Sequence, residues 1–588
     1  MEGDSTPDAM MRSVAGVSPF LADMRPGARV DRDRTRAMWL SGLGLAAILV
    51  VTLWRVTATY EVFSHTVDEP SHIAAGTQFL EHGRAGGDLT HSPLARIAVA
   101  IGPRLLAWEG RSVCATDREE QLLRCKGEPY WRTLTAGRLG TLPFLVLMLV
   151  TAWLWGTQFG GPLTGFMAAL LLANAPPVLA HSGLATTDAA AAATVSLTLL
   201  VFVRWLHRPT LPRALALGVA AGLALGTKLT ACVYLPAAGV AMTIVVLSRH
   251  RLQSLTGAIG QLGGALIASF FVLWAIYGFT LNPLVGPAGL VDDDRGLAPV
   301  LHWAIFPLVE MGRGLETLAE LNRSGVPSYF MGQISPDGWW SFFPVMFAVK
   351  TPLALLALFA LGIVVAAHRW TERPGLLAAA AAAVAILGVA MTSRINLGLR
   401  HVLVLYPLAS IVAGAGAAAM IEMRGRAAKP VRGLTLLLIA WLVVDSARAH
   451  PDYIPYFNEA ARADAAYFSA DSDLDWGQDA KRVADELSRR RIEHASVAMN
   501  TTAKLLMLAP VDVTDLWPGQ PASGWVAASV GRILNDRIRP PYLGLRWLEC
   551  HRPVARIGAT TFLYRIAPGA AGFGETLCGL GNLAAPRR

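Results

Sequence analysis

Residues 139–203 read LGTLPFLVLMLVTAWLWGTQFGGPLTGFMAALLLANAPPVLAHSGLATTDAAAAATVSLTLLVFV. From Leu139 to Val203 the only carboxylate is Asp188, and the only other titratable side chain is His181. A helix rises ~1.5 Å per residue and the hydrocarbon of a bilayer is ~30 Å thick, so this stretch holds about three membrane spans. Working outward, further apolar runs cover Ala37 to Trp54, two spans within Ala214 to Ser248, Leu255 to Tyr277, Phe342 to Ala366, Leu376 to Met391, His401 to Ile421 and the short Val431 to Val444. The expectation is an all-α polytopic membrane domain over 37–445 with about eleven transmembrane helices.

Composition agrees. The chain is 53% hydrophobic and 16% charged, with a mean hydropathy of +0.43. The net charge of +9 raises the thought of a nucleic-acid binder, but the basic residues are not gathered into one patch. They fall in alternate gaps between apolar runs: Arg204, Arg208 and Arg213, then Arg249 and Arg251, then Arg369 and Arg373, then Arg424, Arg426, Lys429 and Arg432. The positive-inside bias makes those gaps cytoplasmic, together with a polar tail over 1–36. The loops 56–138 and 279–340 and the region 446–588 then face outward.

Region 446–588 lacks long apolar runs. Ser496 to Met499, Gly524 to Val530 and Thr560 to Ile566 read as short strands, with helices near Asp479 to Arg490 and Val530 to Ile538, which predicts a small α/β extracytoplasmic C-terminal domain. Cys114/Cys125 and Cys550/Cys578 lie in segments expected outside, where two disulfides are open to them, and Cys232 lies in an apolar run. No cysteine or histidine spacing marks a metal site.

The first loop opens with Val67-Asp68-Glu69-Pro70 and a helix-like segment to His82, followed by an amphipathic stretch with Leu94, Ile97, Ile101 and Leu105 on one face and Arg96 and Arg104 beside it. Acidic residues before a proline commonly start a helix. Two helices in the interface plane would also put the carboxylate pair at headgroup depth, where a lipid-linked phosphate sits. Inside the apolar runs, Asp188, Lys228 and Lys350 are charges at expensive positions, and Arg394 and Arg400 flank an outer loop against the charge bias. Asp188 could equally cap its helix, and Lys350 could snorkel to headgroups. Asp471, Asp473, Asp475 and Asp479 suggest a calcium loop, but the glycine sits at the seventh position and Arg482 where a bidentate Glu belongs, so a polar loop or a helix start fits better. Trp339, Trp340 and Trp476 suit the interfacial aromatic belt or a sugar-stacking role.

Asp68-Glu69 followed by His91-Ser92-Pro93-Leu94-Ala95-Arg96 resembles the dolichyl-phosphate-mannose protein mannosyltransferase family and its bacterial relatives, polyprenol-phosphate-dependent glycosyltransferases of the GT-C fold. Ser92 and Arg96 stand where that family has Pro and Lys. The segments Leu184 to Asp188, Gly226-Thr227-Lys228, Gly338-Trp339-Trp340 to Lys350-Thr351-Pro352, Asn396 to His401, Tyr456 to Glu459, Asp471 to Asp479 and Pro553 to Gly558 continue the likeness in order.

The resemblance implies inverting transfer of a monosaccharide from a polyprenyl-phosphate donor to a protein, lipid or glycan acceptor at the outer face of a bacterial inner membrane. Asp68 corresponds to the family's general base, with Glu69 and Asp188 as further acidic residues of the site. His91, Arg96, Lys228, Lys350, Arg394, Arg400 and His401 are candidates to hold the phosphate. No cofactor is certain, although two carboxylates in one cavity could hold a divalent cation. The rivals are an aminoarabinose-type lipid A glycosyltransferase, which differs only in acceptor, and a transporter or lipid flippase, against which no inverted pair of interrupted helices appears.

Overall fold

The computed structural model describes residues 32–83, 90–248, 255–278, 306–369, 372–508, 510–518, 520–535 and 544–569. Most of the tail 1–36, much of the loop 279–340 and the Cys550/Cys578 expectation fall outside them.

The chain is mostly helical, with a small sheet region near its C-terminal end. Among the described residues, five helices are long and apolar enough to cross a membrane, or up to seven if two bent pairs each count as one span. The pair Pro162–Ala173 and Pro176–Ser182 bends by 68°, and the pair Phe342–Lys350 and Leu353–His368 by 114°. The stretches Leu163 to Leu179 and Phe342 to Ala366 are therefore not the straight helices their apolarity suggested. Proline explains both breaks: Pro176-Pro177 and Pro352 lack an amide proton and push the preceding residue out of the helical region. Four shorter apolar helices, Leu211–Leu225, Ala231–Leu247, Pro374–Ala390 and Leu405–Ile421, complete the bundle.

Leu405–Ile421 is the axis. Nearly every side chain in it is buried, and its Gly414 and Gly416 let the backbones of Pro162–Ala173 and Leu353–His368 approach closely. Small residues at such crossings are how membrane helices pack when lipid removes the hydrophobic drive between them. A single turn of 3₁₀ helix, Leu399–Val402, leads into this axis and carries Arg400 and His401.

Three helices of the first loop cap one end of the bundle: Glu69–His82, Pro93–Trp108 and Gly127–Leu139. In Pro93–Trp108 the outward stripe includes the exposed Ile101 and Leu105, while Arg96 points inward among buried residues. The disulfide Cys114–Cys125 closes the excursion between the second and third of these helices.

The sheet has the order β4-β3-β5-β7-β6, with β3 His494–Ala498, β4 Asp512–Asp515, β5 Gly524–Ser529, β6 Ala555–Ile557 and β7 Thr561–Ile566; a separate hairpin pairs β1 Ser328–Phe330 with β2 Gln333–Ser335. β3 runs parallel to β4 and β5, whereas β7 is antiparallel to β5 and β6. Alternation divides its two faces. Ala527, Leu563 and Ile557 pack under Val483 and Leu487 of the helix Ala480–Arg489, while Val526, Ala528, Phe562 and Tyr564 join the main core of the bundle.

Gly76 sets the spacing of the first-loop helices, because a Cβ there would stand 2.0 Å from the Arg96 carbonyl oxygen. Gly76→Val is expected to cost about 1–3 kcal/mol through overpacking. Thermal unfolding of the purified protein in detergent checks this, with a lowered melting temperature as the outcome.

Candidate active site

Asp68 precedes the first turn of Glu69–His82, yet its carboxylate makes no capping hydrogen bond. Its Oδ2 instead accepts from Arg400 Nη1 at 2.5 Å. The same Arg400 nitrogen lies 3.9 Å from Asp188 Oδ2, and Asp188 Oδ1 accepts from Lys228 Nζ at 2.6 Å. Four sequence candidates from four separated segments thus form one chain, Asp68–Arg400–Asp188–Lys228. The Asp68 side chain keeps 30% of its surface exposed, against 1% for Asp188 and 12% for Arg400. Asp68 is the most exposed member of the chain.

Local structure explains each placement. Asp188 opens the helix Asp188–His207 without capping it, and Lys228 sits in the break between Leu211–Leu225 and Ala231–Leu247. That break is tied to the first loop: Ser92 Oγ donates to the Leu225 carbonyl at 2.7 Å and the Leu94 amide to the Gly226 carbonyl at 2.8 Å. The Ser-Pro-Leu-Ala-Arg and Gly-Thr-Lys motifs are therefore one joint. Gly398, at φ +125°, allows the turn that presents Arg400, and a Cβ there would meet Ser472 Oγ at 2.3 Å.

Arg96 extends the positive region, with the His72 and His91 rings beside it. Arg96 is buried with Nε 3.4 Å from His72 Nδ1, and the His72 and His91 rings meet edge to face at 5.0 Å. Burial pushes His72 well below the usual histidine range, reinforced by the charges of His91, Arg96 and Arg400. Asp188 Oδ2, Arg400 Nε, His401 Nε2, His181 Nδ1 and Thr186 Oγ1 are buried without a hydrogen-bond partner. A cluster of unsatisfied polar atoms around two carboxylates and two cations is the mark of a place for a polar ligand.

Three candidates lie elsewhere. Glu69 is fully buried, gripped by Arg138 Nε and Nη2 at 2.8 and 2.9 Å and by the amides of Thr66 and Ala185. Burial opposes its charge, but Arg138 and the two amides hold its carboxyl below the ordinary range. Lys350 donates to the main-chain carbonyls of Ile454 and Asp473 at 2.6 and 2.5 Å. It neither joins the cluster nor snorkels, and pins the segment 454–473 to the bundle. Arg394 is half exposed and pairs with Asp337 at 3.3 Å, away from Arg400.

Sequence reasoning missed Arg138, whose position beside the apolar run starting at Leu139 made it look like a boundary charge, and it missed what Asp471 to Asp479 does. Asp473 accepts the Leu399 amide with both oxygens at 3.0 Å, Asp475 the Gly531 amide at 2.9 Å, and Asp479 the Thr560 hydroxyl at 2.7 Å. Trp476 lays its ring 4.3 Å from the Arg400 guanidinium carbon, and its carbonyl accepts the Val67 amide at 3.1 Å. This loop is a latch joining the sheet, the Arg400 turn and the Asp68 segment. Among the described residues no group of three or more His, Cys, Asp or Glu converges as a metal-holding set.

Residues 132–277 match the family model described as Dolichyl-phosphate-mannose-protein mannosyltransferase. The chain thus resembles that family over this segment. The matched segment includes Asp188 and Lys228 but neither Asp68 nor Arg400. Among solved structures, ArnT from Cupriavidus metallidurans bound to undecaprenyl phosphate is similar at 12% identity and a TM-score of 0.45, over 88% of this chain and 97% of that one. The archaeal oligosaccharyltransferase AglB from Archaeoglobus fulgidus, in complex with an inhibitory peptide and a dolichol-phosphate, is similar at 12% identity and a TM-score of 0.42, over 88% and 73%. Comparison with curated proteins gives no match.

Two predictions follow from the charges. Glu69→Gln leaves Arg138 buried and uncompensated, so stability is expected to fall by roughly 3–5 kcal/mol, read by chemical or thermal unfolding. Burial raises Asp475 to about 7 and Asp479 to about 6. Protons held more tightly when folded stabilise fully below the ordinary carboxylate pKa, and this contribution is lost as pH rises through about 6 to 7. The melting temperature is expected to drop between pH 5 and pH 8, with a smaller drop in Asp475→Asn.

Proposed function

We propose that this chain is an inverting glycosyltransferase that moves a monosaccharide from a polyprenyl-phosphate donor to an acceptor hydroxyl or amine at the outer face of a bacterial inner membrane. The observation that carries the reading is the Asp68–Arg400 contact: a part-exposed carboxylate touches a buried cation whose other neighbour is the Asp188–Lys228 pair.

In this reading the acceptor attacks the anomeric carbon, Asp68 takes its proton, and the bond from that carbon to the phosphate oxygen breaks with both electrons leaving on the phosphate. Phosphate is a good leaving group, so a positioned base and fixed cations suffice. Arg400 couples the two events. As Asp68 gains a proton it loses the charge that holds Arg400, just as the departing phosphate gains one. The guanidinium can then shift its attraction from base to leaving group without new charge entering a dry site. Lys228 keeps Asp188 neutralised meanwhile, and Arg96 adds positive potential from the first-loop side.

The assignment of eleven spans is supported by the helices: every expected apolar run contains one of the five long helices, the two bent pairs or the four shorter ones. The outward orientation rests on the Lys/Arg bias of the short loops. In this arrangement the region after residue 446 and the first-loop helices share the outer side with the site. The acidic residues that matter to chemistry are Asp68 and Asp188, with Glu69 a strut; the phosphate falls to Arg400, Lys228 and Arg96, with His91 and His401 beside them.

The test is release of polyprenyl phosphate from a radiolabelled lipid-linked sugar by the purified protein. Asp68→Asn is expected to slow release by about 10²- to 10⁴-fold, the usual contribution of a general base, while donor binding persists. Sugar crossing a liposome membrane with its donor intact would point to transport instead.

A further inference from the structure

A second polar site lies at the other end of the bundle. Leu353–His368 and Leu405–Ile421 both start at the level of the Asp68 cluster, where Thr351 Oγ1 and the Tyr406 hydroxyl lie 3.0 Å apart, and each runs ~24 Å away from it. Between their far ends and the first turns of Ala428–Arg448 is a cavity of about 820 Å³. Arg369, Arg424 and Arg432 line it from three different segments, with Glu422 the one carboxylate in the lining. Among the described residues, none of these four side chains is in a salt bridge, and Arg432 spends one nitrogen on the Met423 carbonyl at 2.7 Å. The cavity wall on the bundle side is apolar, formed by Val364, Val365, Ala419 and Met420, and the exposed Leu436 follows one turn after Arg432 on the same face of Ala428–Arg448.

We infer that this cavity binds one anionic phospholipid, its headgroup phosphate held by Arg369, Arg424 and Arg432 and an acyl chain laid against Val364 and Leu436. The general charge bias of membrane loops accounts for arginines at this end of the bundle, but not for three of them converging on one cavity. A free phosphate would use the cations alone. The exposed Val364 and Leu436 beside the cavity add the second half of an amphiphile, and basic pockets between transmembrane helices suit anionic headgroups. The inference is independent of the glycosyltransferase reading, since no residue of the Asp68 cluster takes part.

The experiment uses the full chain in phosphatidylcholine nanodiscs titrated with phosphatidylglycerol, with bound lipid counted by native mass spectrometry. Phosphatidylglycerol is expected to be retained over phosphatidylcholine. The triple variant Arg369→Gln, Arg424→Gln, Arg432→Gln is expected to lose about a hundredfold in affinity, with the triple Lys variant keeping most of it. Unchanged retention by the Gln variant overturns the inference, as does equal protection of the wild-type chain by inorganic phosphate, which would make this a free-anion site. Should the Gln variant not fold, a photoreactive phosphatidylglycerol on the wild-type chain decides: label within 364–369 or 419–436 supports the site, and label only elsewhere overturns it.

Discussion

Arg400 is the group on which the geometry of the candidate site depends. Its guanidinium contacts Asp68, approaches Asp188 and lies against the Trp476 ring, so three distant parts of the chain are fixed by one side chain. Guanidinium suits this, because its planar face stacks on an indole while its edges meet carboxylates, which an ammonium cannot do at once. Burying such a cation is costly unless it is paired. The cost explains why the turn carrying Arg400 is so heavily supported, with Gly398 in its left-handed region, Asp473 holding the Leu399 amide, and the buried axis helix directly behind it.

The buried charges divide into two kinds by what they touch. Glu69 and Lys350 are held by permanent protein partners, an arginine and backbone amides for one and two backbone carbonyls for the other. Such groups are struts, since moving them would strand the partners. Asp188, Arg400 and His401 each retain an unsatisfied atom.

The same division explains what could be read from the sequence. Apolar periodicity revealed the bundle because lipid exposure demands long runs, and isolated charges within those runs identified Asp188 and Lys228. The resemblance carried by the first-loop motif singled out Asp68 as a candidate. Glu69, one residue on, was indistinguishable by type, and only its direction toward Arg138 and the 185 amide separates them. Arg394 and Arg400 were equally anomalous against the loop bias, yet they flank a turn whose geometry sends one to an exposed Asp337 and the other inward. Direction on an irregular turn is a tertiary property. The bends at Pro176 and Pro352 were visible as prolines, but their angles depend on what packs behind them.

The loop from Asp471 to Asp479 shows why the segment after the last long helix belongs to the site. Its carboxylates look like a cation cage in sequence, yet Asp473, Asp475 and Asp479 are directed to three different protein groups: the Arg400 turn, the helix after β5, and the β6–β7 turn. Dispersed in this way, they transmit the position of the sheet to Arg400 through Asp473 and Trp476, and to Asp68 through the Val67 amide. A carboxylate and a guanidinium separated by hundreds of residues keep contact only if both anchors hold. The latch supplies the second anchor, and placing it in a polar segment beyond the bundle lets it form where hydrogen bonds, not apolar packing, can specify a single register.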